Sequence, residues 1–167
     1  MLQPVVRRTW APRGKTPTQE QWGRHDRLSV ISAITVSPRR RRRGLYWENH
    51  RHNLRGEQVV GFLRLVRRHL RRKTILVLDR WSVHRSAVVG RFMARHFATM
   101  EVEWLPSYAP ELNPVEQVWN HAKYSDLPNV APPDLQELEG LVRSSIANTR
   151  GQQAPLRSFF RMAKLRL

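Results

Sequence analysis

The order of apolar and turn signals along this chain predicts an α/β domain in which a two-stranded hairpin is followed by alternating helices and short strands. Three observations carry that expectation. Residues 28–36 (LSVISAITV) are β-branched and alternate in polarity, as a half-buried strand does. Residues 73–78 (KTILVL) form a short continuous apolar run closed by Asp79, the pattern of a strand buried on both faces. Between and after these, apolar residues recur at helical spacing over 58–72 and 86–97. Strand and helix in alternation make an α/β layout, with 73–78 and 102–105 expected to lie parallel.

Each element has a local reason. Residues 1–24 are rich in Pro, Gly and Thr and read as an extended segment with turns. After the first strand, Ser37-Pro38 and an arginine run turn the chain, and 44–47 begins a partner strand. In the helix over 58–72, Val59, Phe62, Leu63, Val66 and Leu70 share one face, while Arg64, Arg67, Arg68, Arg71 and Arg72 occupy the rest of its surface. A second helix is expected over 86–97 and a short strand over 102–105. Asn113-Pro114-Val115-Glu116 is a helix start: Asn113 can cap, Pro114 loses no hydrogen bond at the first helical position, and Glu116 falls in the first turn. That helix is expected to reach residue 124. Residues 128–133 read as a linker, Asp134 caps a helix to about residue 148, and 156–165 forms a last short one. The division expected is a domain over 1–127 and a helical extension over 128–167.

Composition narrows the function. The chain has 167 residues, enough to bury a core, and its hydrophobic content of 40% argues against wholesale disorder. It has no cysteine, which excludes disulfides, thiolate metal sites and thiol nucleophiles. No apolar run approaches the ~20 residues of a membrane-spanning helix, and Met-Leu-Gln-Pro does not begin a signal peptide, so a soluble cytoplasmic protein is expected. The net charge is +17, and it is lopsided: residues 1–100 hold 23 basic and 5 acidic groups, residues 101–167 hold 7 and 8. Such a field suits a polyanion, because neutralising phosphates releases condensed counterions. A GC-rich genome would account for Arg in place of Lys, but not for the net charge. Arg39, Arg40, Arg41, Arg42 and Arg43 form either a solvated hairpin tip or a contact to a nucleic-acid backbone. The six tryptophans are scattered, so a single-strand stacking platform is not indicated.

Two segments carry chemistry. Asp79 closes a buried strand, where α/β sheets place their ligands, although alone it could merely cap the loop or pair with Arg80. It leads Leu78-Asp79-Arg80-Trp81-Ser82-Val83-His84. The second segment, 104–119, reads WLPSYAPELNPVEQVW. Together they resemble the catalytic core of DDE transposases, specifically bacterial insertion-sequence members of the mariner superfamily. Leu105, Pro106, Tyr108, Pro110, Leu112, Asn113, Pro114, Glu116 and Trp119 match that family's second motif, and His84 its histidine after the aspartate. Thr9-Trp10-Ala11 with Gly14 and Pro17 resembles the segment after the family's first strand.

The resemblance implies an RNase H-like mixed sheet flanked by helices. It also implies metal-dependent cleavage and transfer of DNA strands at transposon ends. Asp79 and Glu116 would be catalytic metal ligands for Mg²⁺ or Mn²⁺, two ions in the intact site, with His84, Asn113 and Arg80 lining it. Hard divalent ions accept carboxylate and water oxygens without a full protein cage. Glu116 has an alternative role as a capping acid of its own helix. Expected partners are transposon-end and target DNA, with self-association of the intact enzyme, in a nucleoid setting.

Two departures qualify the resemblance. Its first strand, with a third carboxylate, and an upstream DNA-reading domain have no counterpart before Thr9; Glu20 and Asp26 come too late in order to match. Arg80 stands where the family often has Asn. The expected sheet therefore lacks its first, central strand, and the chain alone would be inactive. Two other classes compete: a non-catalytic DNA-binding remnant or inhibitor, and a basic RNA-binding protein, which leaves residues 105–119 unexplained. His50-x-His52 could bind metal, or simply end a strand in solvent.

Overall fold

Alternation of β-branched residues builds the first unit of the fold. In the computed structural model, which describes residues 10–15, 28–130 and 132–165, Ser29–Val36 (β1) pairs antiparallel with Arg43–His50 (β2). The register runs from Ser29 opposite His50 to Val36 opposite Arg43. The expected partner strand is therefore longer at both ends than its apolar centre indicated. The turn between them is closed by Ser37, whose carbonyl accepts from Arg40 N–H at 2.7 Å and whose Oγ accepts from Arg42 N–H at 3.1 Å.

The second unit is parallel. Gly56–Leu70 (α1) leads into Thr74–Leu78 (β3), Ala87–Arg95 (α2) crosses over, and Met100–Trp104 (β4) returns beside β3. Thr74 lies opposite Met100 and Leu78 opposite Trp104, so the two late strands are parallel, as their spacing predicted. β4 begins two residues earlier than expected, because its MEVEW sequence alternates buried Met100 with exposed glutamates.

The chain then passes a 3₁₀ turn, Pro110–Leu112, into Pro114–His121 (α3). A π-helical turn, Ala122–Asp126, follows, and then Leu135–Gly151 (α4) and Gln153–Met162 (α5).

Two apolar clusters lie on opposite faces of β1. Ile31 and Ala33 pack with Val59, Phe62 and Val66 of α1, Val89 and Phe92 of α2, and Met100. Leu28, Val30 and Ile34 pack with Val118 of α3, Val142 and Ile146 of α4, and Leu156 and Phe159 of α5. The C-terminal helices thus share a core with the hairpin. Gln153 ties them further: its Oε1 accepts from Arg43 N–H and its Nε2 donates to Arg43 O, both at 2.9 Å.

One expectation fails. β3 is not buried on both faces: Leu76 packs inward, but Ile75 is 64% and Val77 55% exposed. The reason is layering. α1 and α2 cover one face of the β3–β4 pair, whereas α3, α4 and α5 pack against the hairpin instead of its other face. Among the described residues β1 and β3 do not pair, and the four strands form two two-stranded units. Glu20, Asp26 and the Thr9 position lie outside the described residues.

Candidate active site

Asp79 follows the last residue of β3, so the strand delivers its carboxylate to the sheet end. Two bonds then fix it. Trp81 N–H donates to Oδ1 at 3.1 Å, an Asx-type turn, and His84 Nδ1 bonds the same oxygen at 2.8 Å. Both bonds fall on Oδ1, and Oδ2 takes no hydrogen bond among the described residues. The His84 hydrogen bond, more than the backbone bond from Trp81, holds the Asp79 carboxyl below the ordinary aspartate value despite partial burial. The Trp81 ring stands edge-on to His84, 5.2 Å between centroids, and limits the imidazole's freedom.

Glu116 reaches the same region from another element. β4 ends at Trp104, Leu105 N–H continues the ladder by donating to Leu78 O at 2.8 Å, and the chain returns through the 3₁₀ turn to α3. Asn113 caps that helix, its Oδ1 accepting from Val115 N–H at 3.1 Å. With Val118 buried and Trp119 packed on the second cluster, Glu116 is turned off the apolar side. Desolvation first, and then the charge of Asp79, push the Glu116 pKa up, with Lys123 opposing. The two carboxylates are thus close enough to repel.

That pair fits a divalent cation in part. Two carboxylates whose charges repel are oxygen donors of the kind Mg²⁺ or Mn²⁺ accepts, with water and phosphate oxygens filling the shell. Among the described residues no group of three or more His, Asp and Glu side chains is placed to hold a metal. The described donor set is therefore incomplete.

The remaining candidate residues separate clearly. His84 lies at Asp79, and Asn113 serves as the helix cap that aims Glu116. Arg80 turns its Nε to Leu105 O at 3.1 Å, binding the Asp79 loop to the start of the second motif. Tyr108 is fully exposed on a left-handed backbone, φ 56°. Arg39, Arg40, Arg41 and Arg42 are exposed at the hairpin tip, but Arg43 belongs to β2, and its Nε is buried without a hydrogen-bond partner among the described residues. Arg64, Arg67, Arg68, Arg71 and Arg72 are exposed along α1. Trp81 was missed as a positioning residue, although the aspartate-to-amide spacing of two is itself an Asx-turn signal.

Among solved structures, the chain is similar to complexes of Mos1. The Mos1 strand transfer complex matches with a TM-score of 0.62 and 13% identity, covering 96% of this chain and 46% of that one. The Mos1 mariner paired-end complex with Mn gives 0.61 and 13%, over 98% and 48%. The chain therefore spans a little under half the length of these neighbours and shares their RNase H-like α/β fold. No curated protein matches the chain in sequence. The profile of the DDE superfamily endonucleases matches residues 1–139, a span that contains both carboxylates and most of the chain, and the protein belongs to that family.

Proposed function

We propose that this chain is the catalytic region of a bacterial insertion-sequence transposase that cleaves and transfers DNA strands at transposon ends. The observation that supports the reading is the placement of Asp79 at the end of β3 with Glu116 near enough that, after burial, the charge of Asp79 raises its pKa. Asp79 and Glu116 would hold a divalent Mg²⁺ or Mn²⁺, which supplies Lewis-acid polarisation of the scissile phosphodiester when bound. His84 and the Trp81 amide fix the orientation of Asp79, and Asn113 sets the helix that presents Glu116. Arg39–Arg42 and the α1 arginines would grip phosphate, which steers DNA without reading its sequence. DNA is the partner, self-association would pair two ends, and the bacterial nucleoid would be the place of work. The Mos1 complexes with paired ends and with Mn support the comparison at the level of fold.

Metal binding tests this directly. Titration calorimetry should show weak Mn²⁺ binding by the wild type, with Glu116→Gln and Asp79→Asn each losing it. Equal binding by all three proteins would remove the pair from the site. A second reading, a DNA-binding remnant or inhibitor that does not cut, is favoured by the incomplete set of metal-holding side chains among the described residues. A nicking assay in Mn²⁺ decides between them: cleavage lost in Glu116→Gln supports the enzyme, and duplex binding without cleavage supports the remnant.

A further inference from the structure

The two helices that cover one face of β3–β4 both end in cations. Their N-termini lie together, since a Cβ at Gly56 of α1 would collide with Ser86 and Val88 at the start of α2. Further along, the Arg64 guanidinium of α1 sits 5.9 Å from the centroid of the Phe92 ring of α2, which packs edge-on to His96 at 4.6 Å. The C-terminal halves therefore present Arg64, Arg67, Arg68, Arg71 and Arg72 beside Arg91 and Arg95, every one exposed. Among the described residues none of these arginines makes a salt bridge, and the ion pair found at this end is Lys73 with Glu101, at 3.6 Å.

Helix dipoles do not account for such a concentration. Each C-terminus offers about −0.5 charge, so two of them balance one cation out of the cluster. Unrelieved like charge at this density destabilises the folded chain and awaits a polyanion. His96 registers the field: desolvation, followed by Arg67, Arg95 and Arg64, holds its pKa below the ordinary histidine value.

Location separates this surface from the carboxylates. The chain leaves α1 at Leu70 and passes Arg71, Arg72 and Lys73 directly into Thr74, the first residue of β3, while Asp79 follows the last. Five strand residues put ~17 Å between the two ends. No single phosphate can reach both.

We infer that the C-terminal halves of α1 and α2 form a second binding surface, which takes the phosphodiester backbone of a DNA duplex separate from the strand presented to Asp79 and Glu116. This rests on the reading of the chain as DNA-processing. It adds Arg91, Arg95 and His96, which no motif marks, and it assigns the α1 arginines to a different duplex segment from the scissile one.

His96 provides an internal reporter on the whole chain at the arginine cluster. Its imidazole resonances are followed by NMR as pH is varied, with and without a short random-sequence duplex. The expected result is an upward move of the His96 titration when duplex is present, because phosphates neutralise the arginines that depress it. The combined variant Arg67→Ser, Arg91→Ser, Arg95→Ser should raise the His96 titration in the free protein. It should also flatten the slope of log K against log salt by about one for each phosphate that is no longer neutralised. It should leave Mn²⁺ binding intact, which the Glu116→Gln titration tests independently. A His96 titration that ignores a duplex the protein demonstrably binds would overturn the surface. So would a folded triple variant with unchanged affinity and slope.

Discussion

At Glu116 the protein carries a charge that its own fold disfavours. Burial and Asp79 raise its pKa above the ordinary value of 4.5, so the protonated form is favoured in the folded state. The stability tied to that proton is present below the ordinary value and lost as pH rises through the raised one. Glu116→Gln keeps the shape and removes the charge. Without metal it should melt a few degrees above wild type at neutral pH, and the difference should vanish in acid. A variant that melts lower at neutral pH would show that Glu116 makes a stabilising contact instead. Asp79 has the opposite sign: its depressed pKa adds stability above the ordinary aspartate value of 3.8, lost as pH falls through the lowered one. Both carboxylates were legible in the sequence because each sits at an element boundary with turn chemistry around it. The direction of Arg80 was not legible, because a long side chain that bonds a carbonyl 25 residues away leaves no local pattern.

At the scale of elements, the close approach of α1 and α2 depends on the absence of a side chain at Gly56. An added Cβ would meet Val88 Cγ1 and Ser86 Oγ, and Ser86 borders the loop that carries Asp79 and His84. Gly56→Ala should therefore cost ~1–3 kcal/mol by overpacking and lower the melting temperature, with a weakening of Mn²⁺ binding as the loop shifts. Unchanged stability would mean the two helices slide apart without loss. A second tie joins distant elements: Gln153 exchanges two hydrogen bonds with the Arg43 backbone, in the manner of a strand partner. Gln153→Ala should cost roughly 1–3 kcal/mol, measured by urea denaturation, because it strands two half-buried backbone groups. Helix and strand types were legible from periodicity. The extent of β2 was not: Glu48, Asn49 and His50 have weak strand preference and are held by register with β1.

For the molecule as a whole, the fold turns on what lies between the two strand pairs. β1 and β3 each have one paired neighbour among the described residues, and both pack against the same helix, α1. A β-strand directs alternate amides to opposite edges, so a strand with one partner leaves about half of its N–H groups without a ladder bond. Amide hydrogen exchange should then divide β3 by parity: the N–H groups facing β4 exchange slowly, those facing away exchange fast. The exposed Ile75 and Val77 side chains add little shielding on the outer face. On the proposed transposase reading, an acid-bearing strand would pair at this edge. A longer chain that begins upstream with such a strand should slow the fast set, raise the melting temperature and strengthen Mn²⁺ binding together, because one segment would supply both ladder bonds and a third carboxylate. Each edge amide would exchange a water bond for a ladder bond at a net gain of ~0.5–1.5 kcal/mol, so several together should be measurable against a typical net stability of ~5–15 kcal/mol. Uniform slow exchange along β3 in the present chain would contradict the open edge. It would mean that residues outside the described segments already pair with the strand, and an acid among them, Asp26 first, would then be the one to substitute.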